Sequence, residues 1–223
     1  MKNKTWILKT ATRAAIVGAV TLALSACAGG LSTFGADLGK QSSPLGDIRL
    51  PYTAVSSYFG YVQPGQAPDA EVGGKNFYYL YLWVPAVAPE IGVRMLSPVG
   101  TFGTPAEGDF KAANYDEGAA DMSKFFDTYI TFERAVEVLS PEDIATKAAT
   151  ATWHSYATND DSSEMPANPS GSKYNSLLRV ETDTSDPLKA LVRGLYRIGF
   201  TTFKRGEVEG TFLAQVGSPV ELP

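Results

Sequence analysis

The chain of 223 residues contains a single cysteine, Cys27, so no disulfide within the chain can hold its fold together. A stable domain must therefore depend on a buried apolar core. The 197 residues from Cys27 onward are enough to build one such core, and they are expected to form one domain.

The segment before Cys27 has the features of a lipoprotein signal sequence. Four basic side chains precede an uncharged apolar stretch from Ala14 to Leu24, and the tetrapeptide ending at Cys27 has the pattern of a lipobox. The apolar stretch is shorter than the roughly 20 residues that a membrane span requires. We therefore predict a signal peptide over residues 1–26 and lipid attachment at Cys27, with several acyl chains holding the protein on a membrane. The alternative is an ordinary secretory signal with a chance cysteine.

The charge of the mature chain restricts its partners. Removal of residues 1–26 takes away four of the 19 basic side chains and none of the 24 acidic ones, which leaves a net charge of −9. Such a chain is not expected to bind nucleic acid or anionic lipid headgroups. Ala28 occupies the position where an aspartate usually signals inner-membrane retention in Gram-negative bacteria, so we predict the outer membrane. Which face of that membrane carries the domain is left open.

Beyond Cys27, a short polar segment precedes a region dominated by strand signals. Residues 27–46 are rich in small and polar residues and predict a flexible tether, and residues 47–223 are assigned to one domain. Aromatic and β-branched runs bounded by turn residues favour strands. The predicted strands are 52–62, 76–84, 92–96, 127–138, 177–181, 195–203 and 211–216, with the last two forming a hairpin.

One helix interrupts this pattern. Ser140 as the N-cap and Pro141 at the first position predict a helix that runs to about Ala151. Short helical turns are expected at 88–91 and 186–192, and the polar stretch 156–172 is expected to be a long loop. The predicted fold class is a mostly β, antiparallel β-sandwich with one or a few short helices.

Two other patterns in the sequence bear on function. His154 is the only histidine, and neither Ser155 nor Ser163 lies in a nucleophile motif, so we predict a packing or surface histidine and no enzyme. Tyr79, Tyr81 and Trp83 share one face of a predicted strand. They could form an exposed platform, but a strand that is buried on both faces is favoured.

Several sequence blocks, in the same order, closely resemble the major outer-membrane lipoprotein family of pathogenic leptospires. The resemblance extends over roughly residues 50–216. The blocks are Tyr58-Phe-Gly-Tyr-Val-Gln-Pro-Gly-Gln-Ala-Pro-Asp69, Tyr78-Tyr-Leu-Tyr-Leu-Trp-Val-Pro-Ala86, Gly92-Val-Arg-Met-Leu-Ser-Pro98, Phe126-Asp-Thr-Tyr129, Lys173-Tyr-Asn-Ser-Leu177 and Leu191-Val-Arg-Gly-Leu-Tyr-Arg-Ile198.

The resemblance implies a jelly-roll β-sandwich, similar to collagen-binding domains, with a calcium ion beside an acidic loop. The implied ligands are Asp127, Thr128, Asp160, Asp161 and Tyr174. Family members are described as adhering to host matrix proteins such as collagen, laminin and fibronectin. The family's dense run of aspartates is reduced here to two. On spacing alone, these two indicate only a solvated loop, since they lack the fixed ligand positions of an EF-hand.

We therefore predict a calcium-binding, lipid-anchored outer-membrane protein that acts as a non-enzymatic interaction or adhesion module. Its expected partners are the membrane through Cys27, and extracellular-matrix or other surface proteins. The alternative is a structural envelope lipoprotein without a specific soluble ligand, with a homo-oligomer left open in either case.

Overall fold

The computed structural model describes residues 41–43, 46–48, 52, 54–169, 171, 175–203 and 207–219. Two residues with predicted roles, Cys27 and Tyr174, lie outside the described residues. The strands are β1 (Gln41–Ser43), β2 (Gly46–Ile48), β3 (Ala54–Val62), β4 (Ala70–Val72), β5 (Lys75–Val84), β6 (Glu90–Leu96), β7 (Phe110–Lys111), β8 (Thr128–Ala135), β9 (Trp153–Asn159), β10 (Ser176–Glu181), β11 (Gly194–Thr202) and β12 (Gly210–Ser218). The helices are α1 (Tyr115–Gly118) and α2 (Pro141–Lys147), with 3₁₀ turns at Gly100–Phe102, Ala148–Thr150 and Pro187–Lys189.

Ten strands form two sheets that pack face to face. Sheet I has the order β10-β6-β12-β3-β7, and sheet II has the order β4-β5-β11-β8-β9. All pairs are antiparallel except β3 with β7. The chain crosses from one sheet to the other six times, as strands of a jelly roll do. The crossings follow β3, β5, β7, β9, β10 and β11. The predicted antiparallel β-sandwich with few short helices is confirmed.

The core lies between the sheets because alternate residues of each strand point inward. Ile91, Val93 and Met95 of β6 are at most 2 % exposed and belong to the same apolar cluster as the inward residues of β5, β8 and β11. Phe200 of sheet II and Phe212 of sheet I meet across the interface with ring centroids 4.7 Å apart. Burial of each such side chain contributes roughly 1.5–3 kcal/mol, which is how the domain is stabilised without disulfides.

The outer face of sheet II is also largely covered. The guanidinium of Arg197 lies 4.0 Å from the ring centroid of Tyr79 and 4.1 Å from that of Trp153, and it donates a hydrogen bond of 2.6 Å to Glu133. Trp83 is buried beside the segment that contains α2. The prediction that β5 is buried on both faces is therefore confirmed, and its aromatic side chains are packing residues.

Helix α2 begins where the sequence predicts. Ser140 and Asp143 form a capping box, and Pro141 occupies the first position. The helix ends at Lys147, and a 3₁₀ turn continues to Thr150. Ile144 of α2 packs against the cluster that contains Trp83, so the helix covers one end of sheet II.

Three local predictions were wrong. β11 and β12 do not form a hairpin, since they belong to different sheets and their phenylalanines face each other across the core. Residues 153–159 form β9, which pairs with β8, so the long loop begins at Asp160 rather than at Tyr156. Residues 88–91 lead into β6 rather than into a helical turn. In addition, β1 and β2 pair with each other, although β1 lies inside the predicted tether.

The strand directions define two ends of the sandwich. At the entry pole, β3 begins and β12 ends, because Ala54 pairs with Ser218. β5 also ends here, since only residues 85–89 separate it from the start of β6. At the opposite end, which we call the site pole, β8 and β10 begin and β9 ends.

We expect Gly210→Ala to destabilise the domain by about 3 kcal/mol, measured by urea unfolding. Gly210 has a φ of 110°, and an added Cβ would lie 2.1 Å from the carbonyl oxygen of Lys124. Gly65→Ala is the control, since Gly65 has a φ of 72° but no atom within 4 Å of the added Cβ. The control should cost only about 1 kcal/mol. Equal losses in the two variants would contradict the steric argument.

Candidate functional site

Two strands are joined side by side at the site pole by hydroxyl groups. Thr128 opens β8 and Ser176 opens β10, and both side chains are fully buried. The Ser176 amide donates to Thr128 Oγ1 at 2.9 Å, and the two hydroxyl oxygens are also 2.9 Å apart. The Ser176 hydroxyl lies within hydrogen-bonding distance of the Thr128 carbonyl as well. These bonds connect sheet II to sheet I at this end of the molecule.

The loop that follows β9 is fixed at the residues that flank its two aspartates. Asn159 Oδ1 accepts a hydrogen bond of 3.2 Å from the Leu177 amide. The Ser162 amide donates to the Asn175 carbonyl at 3.2 Å. Asp160 and Asp161 therefore lie between two positions that are bonded to the start of β10, with Asp160 half-buried and Asp161 exposed.

Asn175 connects this loop to the adjacent sheet. Its side chain is fully buried, Oδ1 accepts from the Ser97 amide at 3.0 Å, and Nδ2 donates to the Pro166 carbonyl at 2.6 Å. A buried amide that forms bonds on both sides fixes the two segments it joins, because leaving either partner unpaired costs about 1–3 kcal/mol. The loop frame therefore depends on these neutral side chains, together with one ion pair between Glu164 of the loop and Arg179 of β10 at 2.6 Å, and not on Asp160 or Asp161.

Asp127 lies immediately before β8, beside this frame. It is half-buried, and its carbonyl accepts a hydrogen bond of 2.9 Å from the Phe203 amide. β8 and β9 are antiparallel with Ile130 opposite Asn159, so residues before Ile130 and after Asn159 extend toward the same pole. The structure thus brings the Asp127–Thr128 and Asp160–Asp161 segments to one pole. Tyr174, the fifth predicted ligand, is outside the described residues.

The donor set suits a hard cation better than a soft one. Calcium takes six to eight oxygen ligands, and carboxylate, hydroxyl and carbonyl oxygens are what these segments offer. Among the residues that the structure describes, no three histidine, cysteine, aspartate or glutamate side chains are grouped so as to hold a metal ion. Both oxygens of Thr128 are already bonded to Ser176. A cation here would therefore require carbonyl and water oxygens in addition to the aspartates.

Sequence reasoning missed the polar residues that build the frame. Asn159, Asn175 and Ser176 carry the hydrogen bonds, yet none was assigned a role. The available signal was the occurrence of polar residues directly at strand ends, beside otherwise apolar strands such as β10.

His154 does not lie in a catalytic arrangement. It is half-buried within β9, opposite Arg134, and its ring packs edge-to-face on Tyr156 with centroids 5.4 Å apart. The predicted packing role agrees with this geometry.

A buried pair of ionisable groups lies at the entry pole. The Tyr52 hydroxyl donates to the Glu90 carboxylate, and the Tyr52 ring lies against Gly92. Burial raises the pKa of both Tyr52 and Glu90. This pair joins the segment before β3 to β6, so it fixes where the chain enters the sandwich.

The described residues form a jelly-roll β-sandwich whose chain enters at one pole and whose polar loop lies at the other. The chain belongs to the Lipl32 family, the surface lipoproteins of the order Spirochaetales. The family model matches residues 46–223 of the chain. Membership places the protein at the cell envelope as a surface lipoprotein. No curated protein matches the chain. None of the helices among the described residues is long and apolar enough to cross a membrane.

Thr128→Val keeps the shape of the side chain but leaves the Ser176 amide without its acceptor. We expect a loss of about 1–3 kcal/mol in the free energy of unfolding, because an unpaired buried donor retains its desolvation cost. Thr158→Val, at an exposed position of β9, is the matched control and should change stability by less than about 0.5 kcal/mol. Urea unfolding in chelator isolates this effect from metal binding. An unchanged midpoint for Thr128→Val would show that the hydroxyl does not join the strands.

Proposed function

We propose that this protein is a calcium-binding surface lipoprotein, held on the outer membrane through lipidated Cys27, that acts as a non-enzymatic interaction module. The observation that carries the proposal is the opposition of its two poles. The chain enters at the pole where Ala54 pairs with Ser218, and the aspartate-bearing loop lies at the other pole. A tether attached at the entry pole therefore presents the loop away from the anchor.

The proposed calcium site joins two neighbouring segments of the site pole. Asp127, Asp160 and Asp161 would supply carboxylate oxygens, and Tyr174 would supply a neutral oxygen. Thr128 would offer the second lone pair of an oxygen that also bonds to Ser176. A bound divalent cation would offset the repulsion that arises when these carboxylates are brought to one ion. Because Asp127 precedes β8 and the other two aspartates follow β9, the residues would bind the ion only when both strands are paired. Calcium would therefore stabilise the folded state by mass action.

The proposed partners are extracellular-matrix proteins or other surface proteins. A mature chain with a net charge of −9 favours partners with basic surfaces. Two features support these partners: the family membership, and the position of the site pole away from the anchor. The second candidate, a structural envelope lipoprotein without a soluble ligand, is favoured by the absence of a three-carboxylate group among the described residues.

Thermal unfolding of the chain from residue 28 onward, in calcium, in magnesium and in chelator, tests the calcium site. At a calcium concentration 100 times the dissociation constant, binding should stabilise the domain by about 2.7 kcal/mol, with a corresponding rise in Tm. The rise should disappear in Asp127→Asn and in Asp160→Asn/Asp161→Asn.

The control variant Glu142→Gln/Glu181→Gln removes two exposed carboxylates at the entry pole and should keep the full calcium response. A response that the control also loses would assign the effect to general charge screening. No response in the unmodified chain would favour the structural envelope protein.

A second experiment tests the interaction module itself. Binding of the same chain to immobilised collagen, laminin and fibronectin should be saturable, and it should weaken in chelator and in Asp160→Asn/Asp161→Asn. Saturable binding that does not depend on calcium would separate adhesion from the metal site. No binding to any matrix protein would contradict the adhesive role.

A further inference from the structure

The entry pole carries most of the exposed large apolar side chains. Six such side chains are well exposed among the described residues, and four of them lie in loops at this pole. They are Val87 at 62 %, Leu188 at 60 %, Leu139 at 56 % and Val136 at 41 % exposure. Single exposed apolar residues are ordinary on protein surfaces, but a concentration of them at one end calls for a reason.

The loops that carry these side chains are bonded to one another. The Ala88 amide donates to the Leu191 carbonyl at 2.9 Å, which places the Val87 loop beside the loop that contains Leu188. The latter continues to Gly194, which packs against the Val138 carbonyl, next to Leu139. The three loops therefore form one continuous surface, which we call the apolar pole surface and define by Val87, Val136, Leu139 and Leu188.

Leu188 is held outward by a fixed turn. It lies in the 3₁₀ turn Pro187–Lys189, where the Asp186 carboxylate accepts a hydrogen bond of 3.0 Å from the Leu188 amide. Pro187 restricts the backbone of the same turn. The exposure of Leu188 is therefore a feature of an ordered turn.

The charges in these loops nearly balance. Residues 85–89, 136–152 and 182–193 contain five carboxylates and three basic side chains. Lys147 pairs with Asp143 at 2.8 Å, and Lys189 lies 3.8 Å from Asp186. The loops thus carry a net charge of −2, a small part of the −9 of the mature chain. A lipid headgroup layer of moderate charge therefore repels the apolar pole surface only weakly.

The chain reaches the sandwich at the same pole. Ala54 opens β3 there, and Tyr52 is fixed by its hydrogen bond to Glu90. Only residues 28–53 separate Cys27 from Ala54. An anchor at Cys27 makes contact between this pole and the bilayer an intramolecular event, so a weak apolar contact is sufficient.

We propose that the apolar pole surface rests on the lipid bilayer to which the chain is anchored, with Val87, Leu139 and Leu188 in the headgroup region. The bilayer is the partner that this surface would contact, because the segment between Cys27 and β3 ends at this pole. The surface would fix the orientation of the domain and hold the site pole away from the membrane. This inference rests on the proposed lipid anchor at Cys27.

The test uses the lipidated full-length protein reconstituted into phosphatidylethanolamine–phosphatidylcholine vesicles. Acylation occupies Cys27, so an introduced cysteine is the only free thiol. Leu188→Cys and Val87→Cys are labelled with an environment-sensitive fluorophore. Val72→Cys is the matched control. Val72 is 52 % exposed and is the last residue of β4, just before the turn that leads to β5.

Labels at residues 188 and 87 should shift their emission to shorter wavelength on vesicles and lose intensity with lipids that carry a quencher near the headgroup. The label at residue 72 should do neither. Added phosphatidylglycerol should weaken both effects, because the loops carry a net negative charge.

Three results would overturn the inference. Equal responses at residues 72 and 188, or no response at 188 and 87 in protein that floats with vesicles, would show that this pole does not contact lipid. An emission shift that occurs without vesicles and grows with protein concentration would assign the surface to a second copy of the chain. Failure of the protein to float with vesicles would instead contradict the anchor at Cys27, and with it the proposed function.

Discussion

The packing of two sheets around one apolar interface is the constraint from which the rest of the structure follows. With no disulfide, the domain depends on contacts such as that between Phe200 and Phe212 across the interface. Because strands on both sides run toward one end or the other, every connection between sheets must lie at one of two poles. The entry of the chain and the aspartate-bearing loop are consequently fixed at opposite ends of the molecule.

Neutral hydrogen bonds join the strands at the site pole, and one ion pair, Arg179 with Glu164, adds to them in the loop. Asn175, Ser176 and Thr128 connect the loop to both sheets, and none of them carries a charge. The side-chain contacts that fix the loop do not involve the carboxylates of Asp160 and Asp161. A frame that is built without Asp160 and Asp161 leaves their carboxylates available for a cation, and this division of roles is the physical basis of the proposed calcium site.

The sequence predicted those features that depend on local pattern. Alternation and aromatic runs placed β3, β5 and β11 within two residues of their bounds, and the Ser140–Pro141 start of α2 was correct. The predicted hairpin failed because a short connection is compatible either with pairing in one sheet or with crossing to the other sheet. β9 was missed in part because its polar, weakly patterned residues become a strand only through pairing with β8.

The calcium site itself stays a prediction, but its described segments, 127–128 and 160–161, do lie at one pole. The resemblance did not identify Asn159, Asn175 and Ser176, whose roles depend on partners distant in sequence. The Tyr52–Glu90 pair was also missed, since neither residue has a local signal. Buried polar networks of this kind are specified by tertiary contacts, and a single sequence does not reveal them.

Hydrogen–deuterium exchange of the mature chain in calcium and in chelator tests the central claim most directly, because it locates the effect of the cation. The account predicts that calcium slows exchange in peptides that contain the start of β8 and residues 160–175, with the entry-pole loops unchanged. Exchange that is the same in both conditions, or slowed only at the entry pole, would contradict a calcium site at the site pole.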